Sequence, residues 1–390
     1  MLAIDPSPNN WVRLTMGSLI GPLMVLLSFS GHAENGVMPK QIVIGQSITL
    51  QNGKNDYGVA VQDGISAYIS STNAQGGVNG RQILITTLDD DNQPAKAESN
   101  ARTLVESGKV FLLFGSIEGG PSTAVMKAAV DLNVPLFGPM AGSPTLRRPH
   151  QPLVFAVRAE HREEFRALMN YVRQTGGTRV AFFRSDSETG QQHLDNIKLL
   201  CKELGMELVA DIAFKPDVND AQLEAMATKI GSTAPHVVFN HGGIGVYERL
   251  IRQARAQGLH TNFSAVNSGS AQLAKHLGAL AQGMVFSQVV PNPWERKTAM
   301  TREYQANFTQ YKPNTEFSYG SLEGYITAKA LVAALKLAGP APTRASFVQG
   351  LNAANELDLG SMRATYKPGI HTGLNFVELS IVTKDGKFQH

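Results

Sequence analysis

Short, β-rich apolar runs alternate with longer segments of helical period along this chain, and the alternation occurs in two series. That pattern leaves few folds open, because parallel strands need a crossover and a helix usually supplies it. The first series predicts strands over Ile42–Ser47, Ile83–Asp89, Val110–Phe114 and Val134–Phe137. Helices are predicted between them over Tyr57–Asn73, Pro94–Ser107 and Ser122–Leu132. The second series begins near Phe155 and predicts helices over Arg162–Gln174, Gln191–Leu204, Ala221–Ile230 and Val246–Gln257. Its strands are Val180–Arg184, Glu207–Phe214, Val237–Asn240 and Phe263–Val266. Two β-α series of similar length imply an α/β protein of two doubly wound parallel-sheet lobes with a cleft between them.

The tail breaks the rhythm. Met300–Gln310 and Ser318–Leu337 read as long helices with no strand between them, returning to cover the first lobe. Met362–Tyr366 and Phe376–Thr383 read as strands around a turn at Pro368-Gly369, a hairpin-like ending on the second lobe. At the other end, Arg13 precedes an apolar run from Leu14 to Phe29 and then Ser30-Gly31-His32-Ala33, the shape of a secretory signal cleaved after Ala33. An uncleaved signal anchor is the alternative, since the charged region is long and contains Asp5. Cys201 is the one cysteine and lies in an apolar helical pattern, so it reads as a small buried hydrophobe, and no cysteine follows the apolar leader to carry a lipid.

With 43% hydrophobic and 17% charged residues over 390 positions, the chain can bury the cores of two domains. Its formal charge of +3 is the balance of 35 basic and 32 acidic residues spread along the chain, which argues against nucleic acid as a partner.

Particular runs carry a resemblance. Gly45-Gln46-Ser47, Tyr57-Gly58 and, above all, Asn73 to Arg81 (NAQGGVNGR) resemble the opening of the branched-chain amino-acid and amide binding proteins of ABC transporters. The likeness continues through Leu88 to Asp91, Phe114-Gly115, Val134 to Pro139, Gly142 to Arg147 and Ile251 to Leu259. It implies a type I periplasmic binding protein: two lobes joined by a three-crossing hinge, a small polar solute held between them, and delivery to an inner-membrane ABC permease. No cofactor is implied, and a monomer in the periplasm is expected. The implied first lobe takes residues 40–157 with 290–357, and the second 158–289 with 358–390, after a signal over 1–33.

In such sheets the ligand sits beyond the carboxyl ends of the strands, where helix N-termini present free N–H groups. Glu118, Gly119, Gly120 and Ser122 follow one strand, with the glycines admitting a carboxylate close to backbone; an ordinary tight turn and cap is the alternative. Met140, Ala141, Gly142 and Ser143 follow the next, in the segment that the resemblance assigns to the ligand's carboxylate and ammonium. Gly142 stands where some relatives carry threonine, which leaves Ser143 or another group to supply a hydroxyl. Tyr57 aligns with an aromatic residue that packs over the ligand, although it also fits a helix-entry contact. From the second lobe, Glu188, Thr189, Asn240, His241 and Gly243 are expected to close over the solute and read its far end. Asn267 occupies, by the resemblance, the place of an acidic partner for a ligand ammonium. An amide lacks that charge, so Glu188 or Glu118 substitutes, or the solute is an amide, a carboxylate or a small aromatic acid.

Other function classes find little support. There is no G-x-S-x-G elbow, no H-E-x-x-H helix and no P-loop lysine. Asp89-Asp90-Asp91-Asn92 lacks the glycine and distal glutamate of a calcium loop and reads instead as a solvated strand end capping the next helix. A sensory module presenting bound solute to a receptor uses the same fold and stays open. If the leader is a cleaved signal, mass spectrometry of the exported protein will give an N-terminus near Glu34; an intact leader on a membrane-bound product would make it an anchor.

Overall fold

The computed structural model describes residues 34–267 and 269–389, so the leader inferred over residues 1–33 lies outside the described residues. The first sheet contains β1 (Gln41–Ile48), β2 (Gln82–Asp89), β3 (Leu113–Phe114), β4 (Leu136–Phe137) and β5 (Val154–Phe155), ordered β2-β1-β3-β4-β5. Every pairing in it is parallel, with α1 (Asp56–Ala74), α2 (Pro94–Glu106) and α3 (Gly119–Asp131) as crossovers. The second sheet holds β6 (Arg179–Ser185), β7 (Glu207–Phe214), β8 (Val237–His241), β9 (Asn262–Ala265) and β10 (Val285–Gln288), connected or flanked by α4 (His161–Gln174), α5 (Glu188–Leu204), α6 (Asp220–Ser232), α7 (Ile244–Ala256) and α8 (Ser270–Leu277). Apolar clusters fill both faces of each sheet. This is the doubly wound, two-lobed arrangement that the alternation predicts.

Predicted and observed elements differ mainly at their ends. β3 and β4 shrink to their last two residues, yet Val110 to Leu112 still follow the sheet: Phe111 N–H donates to the Val43 carbonyl at 2.8 Å. Helices α3 and α5 each begin three residues earlier than predicted, at Gly119 and Glu188, so residues read as loop form first helical turns. The aspartate run does not cap α2, whose N-cap Gln93 makes no side-chain cap bond. Asp89 instead accepts from the backbone N–H groups of Leu50, Gln51, Asn52 and Asp91, and Asp90 is fully buried against the Thr49 hydroxyl at 2.6 Å. Burial alone would raise Asp89, but those four donors hold it down at about 2. Among the described residues no group of histidine, cysteine or acidic side chains could hold a metal ion.

The tail helices α9 (Ala299–Tyr311) and α10 (Tyr319–Leu337) pack on α1 and the first sheet, as expected. α10 is buried almost all round, which suits a helix rich in apolar and small residues whose buried carboxylate, Glu323, is hydrogen-bonded. It lies close to α1 because glycines face each other's backbone: a Cβ on Gly64 would stand 1.8 Å from the Ser321 carbonyl oxygen, and one on Gly324 2.1 Å from that of Val61. After α11 (Arg344–Ala354) comes a three-stranded antiparallel sheet of β11 (Asn355–Asp358), β12 (Arg363–Lys367) and β13 (Ile370–Gly373).

Here the predicted hairpin needs correction. A two-residue Pro368-Gly369 turn pairs its immediate neighbours, so Lys367 faces Ile370 and β12 pairs with β13. The segment expected as its partner becomes β14 (Glu378–Val382), which joins the second sheet antiparallel to β10 and is followed by β15 (Phe388–Gln389). β12 and β13 lie on the first lobe: Tyr366 packs its ring on Phe137 and Phe155 and donates to the Ala156 carbonyl at 2.9 Å. The chain thus passes between the sheets three times, after β5, after β10 and after β13. Gly64→Ala, which places a methyl against backbone that cannot rotate away, will destabilise the protein by about 1–3 kcal/mol in urea melts; an unchanged midpoint would mean that α1 and α10 are not in close contact.

Candidate functional site

Because β1 to β5 and β6 to β10 run parallel within their sheets, the loops beyond their strand ends face one another, and a cleft of about 650 Å³ opens between them. The first sheet contributes Gln51 and Asn55 after β1, Asn92 and Pro94 after β2, Glu118 to Pro121 after β3, and Ala141 and Ser143 after β4. The second contributes Ser185, Ser187 and Thr189 after β6, Asn240 to Gly245 around the end of β8, and Ala265 and Val266 at the end of β9. The first turns of α3, α5, α7 and α8 all border this space, so their unpaired N–H groups give it a partial positive character. Glu118 is the only ionised type of side chain among the described lining residues, which include no lysine or arginine. Burial, and then Asp90, raise the Glu118 carboxyl, against the pull of Arg158.

Of the residues singled out from sequence, the cleft brings together Glu118, Gly119, Gly120, Ala141, Ser143, Thr189, Asn240, His241 and Gly243. Others lie elsewhere. Ser122 and Met140 are buried in α3 and beneath the loop after β4, and Glu188 is exposed at the start of α5. Gly142 also lies off the cleft lining, because a side chain from the other lobe occupies the space beside it: a Cβ there would meet the His161 ring at 2.4 Å. Tyr57 and Asn267 line a separate, smaller cavity of about 270 Å³.

Both belong to a buried polar network at the first crossing. Arg158, 1% exposed, donates to Glu164 Oε2 at 2.6 Å and lies 3.6 Å from Glu323 Oε1. Glu164 Oε1 accepts from the Asn267 N–H and from the Ser287 hydroxyl, each at 2.9 Å. Glu323 Oε2 accepts from the Tyr57 hydroxyl at 2.9 Å and the Asn267 side-chain amide at 2.8 Å. Burial would raise Glu164, yet Arg158, then His161, hold it at about 2. Glu323 goes the other way, with burial outweighing Arg158 and its donors. Asn267 is therefore engaged with two carboxylates and lines the smaller cavity, not the cleft where it is expected to read the solute's far end.

Sequence reasoning missed two histidines that line the cleft. His161 places Nδ1 2.6 Å from Glu164 Oε2. His193 is fully buried, its ring centroid 5.2 Å from that of His161 and 4.1 Å from that of His241. Burial, first of all, lowers all three imidazoles, His241 to about 3. A signal was present in α5, where His193 sits on the stripe with Ile197, Leu200 and Cys201, a polar ring on an otherwise apolar face. Cys201 itself is buried and its thiol is pushed up to about 11, in keeping with an inert core residue.

A family profile for periplasmic binding proteins matches residues 41–379. Among curated proteins, a Leu/Ile/Val-binding protein homolog 2 of Brucella abortus is 22% identical over 76% of this chain and 80% of its own. A crystal structure of a possible leucine/isoleucine/valine-binding protein from Rhodopirellula baltica superposes with a TM-score of 0.81 at 23% identity, covering 92% of this chain and 98% of that one. The branched-chain amino acid transporter substrate-binding protein LivJ of Streptococcus pneumoniae, solved with isoleucine, gives 0.77 at 19% identity, covering 90% and 98%.

The histidines set a pH dependence. An imidazole lowered in the native state takes up its proton more readily once unfolded, near pH 6.5, so unfolding gains protons below that value. Stability will be full above about pH 6.5 and fall as pH drops toward 3, by up to roughly 1.4 kcal/mol per pH unit for each such histidine. Chemical melts at pH 7.5, 6 and 5 test this: a midpoint that does not move would show that His193 and His241 protonate freely in the folded protein.

Proposed function

We propose a transport role from one premise: this chain belongs to the periplasmic binding protein family, and the relatives and structural neighbours it matches are binding proteins, not enzymes. It binds a small solute. On our reading, the cleft between the sheets is where it does so, and the observation that carries this is the lining itself. Helix N-termini converge there with hydroxyls and one carboxylate, and without any cationic side chain among the described residues.

Such a lining suits a zwitterion. A carboxylate is held by backbone N–H groups at the start of α3 and by Ser143, since the partial charges of helix termini serve an anion without a cationic side chain. Glu118 then pairs with an ammonium, the part that Asn267 does not play, since it is uncharged and lines the smaller cavity instead of the cleft. Gly119 and Thr189 line the cleft from opposite lobes and approach closely at this point, a Cβ on Gly119 standing 3.9 Å from Thr189 Cγ2. The lobes act as the moving units, the first centred on β1 to β5 with α9 to α11, the second on β6 to β10 with β14. Closure turns about the three crossings, and the closed form is presented to an inner-membrane ABC permease from the periplasm.

The Leu/Ile/Val-binding relatives and the isoleucine bound in one neighbour support an amino acid or a close relation as cargo. Calorimetry with α-amino acids and their deaminated analogues tests this. Glu118→Gln will weaken the amino acids by about tenfold or more relative to the analogues, because a hydrogen bond to a charged group is worth roughly 1.5–3 kcal/mol. Equal losses for both series would remove Glu118 from the role of ammonium partner.

A further inference from the structure

One wall of the cleft is built of polar groups that the fold leaves unsatisfied. His193 is 0% exposed and lines the cleft, yet neither of its ring nitrogens has a hydrogen-bond partner among the described residues. The same holds for Oδ1 of Asn240, 7% exposed and also in the lining. Buried polar atoms without partners cost about 1–3 kcal/mol each, and of the side chains carrying such atoms among the described residues only His193 and Asn240 line the cleft. The wall is held from several directions. His193 packs against His241 with ring centroids 4.1 Å apart and planes tilted by 37°, meets Phe165 edge-on at 6.0 Å, and has the His161 ring 5.2 Å away.

The chemistry of this wall is specific. Glu164 is an ionised acceptor, so His161 donates Nδ1–H to it and its other nitrogen is an acceptor. Asn240 Oδ1 is an acceptor. A neutral His193 offers one donor and one acceptor. The set therefore has three acceptors for N–H groups and one donor for an oxygen, with no formal charge. An aliphatic side chain would leave all of these atoms unpaired, and a carboxylate would face acceptors.

We infer that His193 and Asn240, backed by His161 and His241, form a specificity wall for an uncharged carboxamide-type group on the solute, whose NH₂ donates to the acceptors while its carbonyl accepts from His193. This rests on the reading of the cleft as the solute site, and it adds a selection against the apolar side chains that Leu/Ile/Val-binding relatives are named for.

Calorimetry on the purified protein with two matched series tests it: L-glutamine, L-glutamate and L-leucine, then succinamic acid, succinate and valerate. The carboxamide of at least one series should bind tenfold or more tighter than both its partners. His193→Phe, which keeps a ring packed against His241, should lower carboxamide affinity at least tenfold and leave leucine or valerate equal or tighter. His193→Gln, which retains a donor and an acceptor, should keep the preference. Leucine or glutamate binding as well as glutamine, with no carboxamide preference in the second series, overturns the inference while leaving solute capture in place. So does binding by no carboxamide at all, or a His193→Phe loss that is equal across a series. Circular dichroism and a thermal melt of each variant separate a lost wall from a lost fold.

Discussion

The guanidinium of Arg158 is sealed from water at the point where the chain first leaves one sheet for the other. A buried cation must be paired, since the uncompensated charge would cost several kcal/mol, and its two carboxylates come from different lobes: Glu164 from α4 and Glu323 from α10. Each carboxylate then needs further donors, which draws in Asn267 and Ser287 on one side and Tyr57 on the other. The crossing is thereby fixed in register with both sheets. Everything that converges on the cleft, from the loop after β4 to the start of α5, is placed relative to this joint. His161 shows the coupling most directly, because it is tied to Glu164 through Nδ1 and its ring also fills the space beside Gly142.

The electrostatics of the cleft follow from the same architecture. In a parallel sheet every crossover helix starts at the same end, so two facing sheets aim several helix N-termini into one gap. That supplies positive potential without lysine or arginine, and leaves Glu118 as the charged side chain set against it. The imidazoles of His161, His193 and His241 lie in surroundings that disfavour charge, so they act as neutral hydrogen-bonding groups instead of adding to the field. Charge at one end of the site and neutral polarity at the other is a division that a solute with two unlike ends would satisfy.

Most of the fold was legible because periodicity reports burial directly. β1, β2, β7, α1 and α2 appear within a residue or so of their predicted limits, each being a strong apolar pattern between clear turn signals. β10 and α8 were overlooked since their apolar runs are short and lack such punctuation. The hairpin failed for a different reason: Ile370 to Gly373 hardly alternates, and only the geometry of a two-residue turn identifies it as the partner of β12. In the candidate site, glycines and polar residues after strands could be read, because strand ends position loops in any sheet of this class. Asn267 and Tyr57 could not, as one sits on such a loop and the other in the helical turn that follows one, yet both are claimed by a buried charge arising from Arg158 and Glu323, far away in sequence.

By itself the sequence determined two doubly wound lobes, the loops that face the gap between them and the absence of a recognisable catalytic motif, all of which follow from local pattern and chain connectivity. Only the tertiary structure decided which of the polar residues are free to meet a solute. That question turns on what each group is already bonded to, and hydrogen-bond partners are chosen by packing across the two lobes. Asn267 and His193 are both buried polar side chains; the amide nitrogen of one is engaged by a carboxylate and it lines the smaller cavity, whereas the ring nitrogens of the other have no partner among the described residues and it lines the cleft. No period, spacing or composition distinguishes them, because the difference lies in contacts 56 residues away for Asn267 and in their absence for His193.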